Sequence, residues 1–167
     1  MKVRRALFLG RFNPFHLGHL MAVKEILNRE DEIIIIIGSV QLSHTLDNPF
    51  TAGERLLMIH ESIKAEKISR EKVYIIPGFD VNRNAIYVSH IESFVPKFSH
   101  VYTNNPLIKI LFSERGYDVY SIGPYHRDKY KSQIIREKMI RGEKWYHLVP
   151  EPVVKIILEI DGVNRLK

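Results

Sequence analysis

Five consecutive isoleucines, Ile33–Ile37, closed by Gly38, restrict this chain more than any other stretch. A β-branched run with no polar alternation cannot offer one face to water, so it predicts a strand buried on both faces. Such strands sit at the centre of parallel sheets with helices on either side. The rest of the chain fits that arrangement. Ala6–Gly10 and Val73–Pro77 are further apolar runs, and shorter strands are predicted over residues 100–102 and 117–122. Helical spacing separates them. Leu20, Val23, Ile26 and Leu27 form one stripe ending near Asn28; Leu56, Leu57, Ile59 and Ile63 form another behind a Thr51/Glu54 capping-box pattern. Helices are also predicted over residues 84–95 (apolar at Ile86, Ile91 and Phe94), 106–115 (begun by Pro106, stopped by Gly116), 132–141 (closed by Gly142) and 152–160.

Strands alternating with helices predict an α/β fold, a doubly wound parallel sheet of Rossmann-like type, as a single domain over residues 1–167. In such sheets ligands bind beyond the carboxyl ends of the strands, where the strand order switches. The loops after the five strands should therefore line one cleft.

The absence of cysteine excludes disulfides, thiol catalysis and a cysteine-built zinc site. A formal charge of +6 fits either nucleic acid or small anionic substrates. The basic residues form no stripe, and the densest block, 127–131, is interrupted by Asp128, so a nucleic-acid partner is not expected. The longest apolar run is too short to cross a bilayer, and residues 1–5 lead into only a short apolar run. No membrane partner is expected, and the predicted location is cytoplasmic.

The chemistry concentrates in Gly10-Arg11-Phe12-Asn13-Pro14-Phe15-His16-Leu17-Gly18-His19, between the first strand and its helix. His16 and His19, three residues apart, fall on one helical face. Gly10 opens the bend, Pro14 restricts it, and Gly18 admits the close approach of a ligand or another backbone. Phosphate oxygens would meet free N–H groups and the positive end of the helix dipole here, with Arg11 as clamp. One of the two histidines could instead be a helix cap facing solvent, or the two could be half of a zinc site that lacks an acidic third ligand in the motif.

This segment resembles the GRFxPFHxGH signature of nucleotidyltransferases with an HxGH motif. With Gly38–Thr45 and Asn48-Pro49-Phe50-Thr51-Ala52-Gly53-Glu54-Arg55 it is similar to the archaeal-type nicotinamide-nucleotide adenylyltransferase family. The likeness continues through 102–106, 142–145 and 147–150, nearly the whole chain. It implies transfer of the adenylyl group of ATP to nicotinamide mononucleotide, giving NAD and pyrophosphate. Mg²⁺ would arrive with ATP, since it keeps waters and borrows substrate oxygens. It also implies a homo-oligomer, commonly a hexamer.

Carried onto this chain, the resemblance gives the ATP phosphates to His16, His19, Arg11 and Arg136, with Gly10, Phe12 and Gly18 shaping the bend. The late motif departs from the usual S-x-T-x-x-R: Ser132 and Arg136 are kept, but Gln133 stands at the threonine position, beside Lys131. Asp47 stands where some relatives carry a phosphate-binding arginine. The resemblance places nicotinamide near Asp80, Asn84 and Tyr87, where relatives usually carry tryptophan and where Tyr87 could instead face the core. It places adenine near Asn104, Asn105, Tyr125 and Arg127, and makes Ser39 a ribose or phosphate contact, with His44 a weaker one. Glu54 and Arg55 read as helix-capping or ion-pair residues, Trp145 and His147 as structural, and His60, His90 and His100 as surface or core histidines. Competing readings are a related enzyme acting on phosphopantetheine, flavin mononucleotide or glycerol phosphate, a nucleotide-binding module without turnover, and a nucleic-acid-binding module.

Overall fold

The structure is a computed structural model that describes residues 2–167. All five strands are parallel and lie in the order β3-β2-β1-β4-β5, with β1 Arg5–Gly10, β2 Glu32–Ile37, β3 Val73–Pro77, β4 His100–Tyr102 and β5 Asp118–Tyr120. The isoleucine run is an interior strand, and its burial on both faces is literal. Ile33, Ile35 and Ile37 enter one core cluster, Ile34 and Ile36 the other. Each such side chain contributes roughly 1.5–3 kcal/mol of apolar burial.

The first cluster is covered by α1 (Leu17–Arg29), α2 (Ala52–Ala65), α5 (Ser132–Arg141) and α6 (Glu151–Glu159). The second is covered by α3 (Tyr87–Glu92) and α4 (Pro106–Glu114), giving a doubly wound α/β sheet. Chain order runs outward from β1 through β2 to β3, then jumps back across β1 to β4. The switch point lies between β1 and β4, and ligand-binding loops gather there. No helix of the described residues is long and apolar enough to cross a membrane.

Most predicted elements stand within a residue or two of their expected bounds, and three details differ. Leu57 is exposed, because the inward stripe of α2 runs through Arg55, Met58, Ile59, Ser62 and Ile63 instead. Residues 84–95 do not form one helix. A 3₁₀ turn at Asn84–Ile86 precedes α3, and Ile86 is exposed. β5 covers only Asp118–Tyr120, matched to the three residues of β4 that it pairs with. The capping box at Thr51 and Glu54 forms as expected, and Glu54 also pairs with Arg165 near the C-terminus.

Candidate active site

Two cavities of about 320 Å³ each flank the carboxyl end of β1 and share Leu9, Thr103 and Asn105 in their walls. One lies on the β4–β5 side, against His16, His19 and the start of α5; the other lies on the β2–β3 side, against Arg11, Ser39, Asp80 and Tyr87. The switch point has thus been opened into two adjoining chambers. That geometry suits a reaction between two bulky partners.

The bend after β1 is organised by its histidines. His16 is the N-cap of α1, and its Nδ1 accepts from the His19 backbone N–H at 3.2 Å. His19 returns the bond: its Nδ1 accepts from the His16 N–H, also at 3.2 Å. The pair is a capping box built from imidazoles instead of Ser/Thr and Glu. With both Nδ1 atoms accepting, the network assigns the proton of each neutral ring to Nε2, leaving two N–H donors. The rings stack with centroids 3.5 Å apart. Burial pushes the His16 pKa down to about 3 and takes His19 well below its ordinary value, with the neighbouring His16 adding to the latter. The pair is neutral at physiological pH.

Three expectations about this bend change. Phe12 is 1% exposed, so it does not face the cleft; it packs edge-on against the His19 ring at 4.8 Å and supports the pair from beneath. Gly10 is required by that ring, since a Cβ there would sit 2.7 Å from Phe12 Cζ. A Cβ on Gly18 would meet the His16 ring and Tyr130 Cβ at 3.0 Å, so side chains, not a backbone, make the close approach.

Cations converge around the bend. Arg11 is exposed and lines the β2–β3 chamber. Arg136 is buried, donating from Nη1 to the Asn13 carbonyl at 2.9 Å and from Nη2 to Asp47 Oδ1 at 3.4 Å. Arg55 is neither a helix cap nor an ion-pair partner, contrary to its reading from sequence. Wholly buried, it donates to the carbonyls of Arg11 (2.8 Å), Gly38 (2.7 Å), Ser39 (3.1 Å) and Thr51 (3.3 Å). It staples together the loops that follow β1 and β2. Burial, with the charge of Arg11 adding to it, lowers its pKa to about 10, so it stays cationic. Burial likewise lowers Arg136, and Arg11 again adds to the effect.

The start of α5 faces the β4–β5 chamber through Lys131 and Ser132. Its N-cap makes no side-chain bond and its first turn carries no acid, so its leading N–H groups are free for an anion. Ser132 Oγ donates to the Pro14 carbonyl at 3.0 Å, tying this helix to the bend. Gln133 turns away and bonds Glu137 at 3.0 Å.

In the β2–β3 chamber, Ser39 has a left-handed backbone (φ 53°) and donates its N–H to Asp80 Oδ1 at 3.2 Å, while Gln41 donates to Asp80 Oδ2 at 2.9 Å. Tyr87 lines the chamber and also packs edge-on against Phe112 at 6.2 Å. Burial, with Asp80 adding to it, pushes its hydroxyl up to about 12. Asn84 stands exposed outside both chamber linings. In the other chamber, Asn104 bonds both backbone groups of Ile122, Asn105 caps α4, and Tyr125 and Arg127 line the wall. His44 is exposed beside Ser43, outside both linings.

Sequence reasoning missed Asn13, Thr103 and Phe79. Asn13 is buried and bonds Asn48, Phe50 and Arg136 at once; an asparagine before proline in a tight bend was its only signal. Thr103 lines both chambers, and Phe79 lies 67% exposed at the mouth of one. Among the remaining histidines, His100 bonds the buried Glu30 at 2.8 Å, His90 bonds the Phe79 carbonyl at 2.8 Å, and His60 buries an unpartnered Nε2. Trp145 is buried, as a structural anchor requires.

Comparison with known proteins agrees with this geometry. The cytidylyltransferase-like family pattern matches residues 7–138. Nicotinamide-nucleotide adenylyltransferase of Thermoplasma volcanium is 53% identical over 99% of this chain and 92% of its own length. The enzyme of the same name from Archaeoglobus fulgidus is 52% identical over 98% of this chain and 95% of its own. Among solved structures, a bifunctional NMN adenylyltransferase/ADP-ribose pyrophosphatase from Francisella tularensis, complexed with AMP and a manganese ion, shares the fold (TM-score 0.80, 21% identity). That match covers 99% of this chain and 52% of the larger protein, so this chain spans about half of it. On the strength of these likenesses, taken with the imidazole-capped bend and the two chambers, the chain belongs to the nicotinamide-nucleotide adenylyltransferase family.

Proposed function

We propose that this protein transfers the adenylyl group of ATP to nicotinamide mononucleotide, forming NAD and pyrophosphate. The observation that carries the reading is the pair of equal chambers meeting over the end of β1, with neutral imidazole donors and guanidinium groups around the junction. Archaeal relatives about half identical over nearly the whole chain, all bearing the same enzyme name, support the choice of acceptor.

A 5′-phosphate oxygen of the mononucleotide attacks the α-phosphorus of ATP, and the bond from that phosphorus to the bridging oxygen of the β-phosphate breaks. The displaced electrons leave on pyrophosphate. The nucleophile is already ionised at neutral pH, so no general base is needed. What remains is alignment and charge stabilisation. In this reading the Nε2–H groups of His16 and His19 donate to phosphate oxygens as charge builds. Arg136, Ser132 and the free N–H groups of α5 hold the β- and γ-phosphates, and Arg11 spans the phosphates of both substrates. Asp80, Tyr87 and Ser39 serve the nicotinamide half, and Asn84, outside the chamber wall, is left without a part in it; Asn104, Asn105, Tyr125 and Arg127 serve adenine. Mg²⁺ enters as part of MgATP. A hexameric assembly and a cytoplasmic location belong to the same proposal, and sedimentation and cell fractionation test them.

The experiment is incubation of the purified protein with MgATP and, separately, nicotinamide mononucleotide, flavin mononucleotide and phosphopantetheine. The reading expects NAD and pyrophosphate in equal amounts. Adenylylation of another acceptor, or no pyrophosphate at all, overturns it.

A further inference from the structure

We propose that Asp47 is a built-in occupant of the phosphate subsite, a carboxylate that pairs with Arg136 until substrate phosphate displaces it. The inference rests on the reading that Arg136 receives the ATP phosphates. At its own position Asp47 is the wrong sign for that task, yet it is not turned away. Its Oδ1 lies 3.4 Å from Arg136 Nη2.

The two side chains differ sharply in exposure: 8% for Arg136 and 79% for Asp47. Arg136 is fixed by packing and by its second bond, to the Asn13 carbonyl. The Asp47 carboxylate stands in water and, among the described residues, is tied to the protein by this contact alone. Its backbone is not loose, however. Asn48 donates to Thr45 Oγ1 at 3.1 Å and accepts at 3.2 Å from Asn13, the residue whose carbonyl orients Arg136. One buried asparagine therefore sets both partners. The carboxylate can swing into solvent while the guanidinium stays in place.

Two consequences follow. Arg136 is compensated when the site is empty, although burial and Arg11 both press on its charge. Any phosphate that takes Arg136 must displace a carboxylate and then tolerate it nearby, which weakens ATP and pyrophosphate together. Asp47 is thus a positioning residue that trades ground-state phosphate affinity for easy release of pyrophosphate.

Titration calorimetry of inorganic pyrophosphate, in EDTA to remove divalent metal, tests this on the full chain. The variants are Asp47→Asn, Asp47→Ala and Asp47→Glu. The exposed position keeps them folded, and Asp47→Ser provides a further neutral replacement. The neutral replacements should tighten pyrophosphate roughly three- to tenfold, an exposed pair plus one removed like charge, while Asp47→Glu stays near wild type. In turnover assays the KM for ATP and the inhibition constant for pyrophosphate should fall by a similar factor, with the KM for nicotinamide mononucleotide unmoved. A purely structural role would shift melting temperature and leave these constants alone. Unchanged or weakened pyrophosphate binding in Asp47→Asn overturns the proposal. Wild-type NAD synthesis is read separately: NAD formed without tightening removes the latch and keeps the enzyme, and tightening without NAD does the reverse.

Discussion

The backbone N–H of His16 donates to the ring of His19, and the backbone N–H of His19 donates to the ring of His16, each at 3.2 Å. Neither ring can accept a second proton without breaking the cap of its own helix. In solution an unperturbed histidine titrates near pH 6.5. Here burial has lowered His16 to about 3 and His19 in the same direction. Below pH 6.5 the unfolded chain takes up protons at these positions that the folded chain refuses, so stability is complete above that pH and declines as pH falls from 6.5 toward 3. Thermal melting across pH 4–8 should show that decline, lessened in His16→Asn. NMR of the two rings should show no titration between pH 6 and 8, and turnover should carry no histidine inflection there.

Capping and catalysis can be separated at His16. Asparagine is a good N-cap acceptor and alanine is not, so His16→Ala should lose about 1 kcal/mol of stability that His16→Asn retains. Both remove the Nε2–H donor, and both should lower kcat by roughly 10²–10³. His19→Ala should do the same to kcat while changing mononucleotide binding little. Steady-state kinetics beside urea unfolding resolves the two effects.

Arg55 reaches four carbonyls and no carboxylate. Arg55→Met should cost about 3 kcal/mol or more, because buried carbonyls after β1 and β2 lose their donor. Arg55→Lys keeps the charge but not the fork, and should fall between. The urea midpoint at unchanged slope measures this.

The fold was readable because its signals were local. An unbroken isoleucine run has few ways to be buried, and Pro106, Gly116 and Gly142 mark helix ends by backbone chemistry alone. A single capping histidine was readable as an alternative, but the buried, reciprocal cap was not. Its i,i+3 spacing is that of a capping box, but histidine is not among the residues that usually announce one. Arg55 was hidden for a different reason: its partners are backbone carbonyls from three separate segments, and carbonyls leave no trace in a sequence. Leu57 and Met58 show the limit of periodicity, since one residue of helical phase decides which of two apolar neighbours turns inward. Asp47 could be recognised as a departure from its relatives, but only the fold brings it to Arg136, 89 residues away.

Asp80 links the two loops of the β2–β3 chamber through Ser39 and Gln41. Asp80→Asn removes its charge and part of that bonding. The KM for nicotinamide mononucleotide should rise roughly tenfold, equivalent to about 1.4 kcal/mol, with the KM for ATP nearly unchanged. Initial rates with each substrate varied in turn measure the split.

Neutral imidazoles in the bend between β1 and α1 are proposed to hold the phosphates across which adenylate is transferred. A crystal structure of the protein with NAD bound addresses it most directly. Such a structure should show pyrophosphate-linkage oxygens within roughly 3 Å of the Nε2 atoms of His16 and His19, with adenine and nicotinamide in opposite chambers. NAD bound elsewhere, with that bend empty, would contradict it.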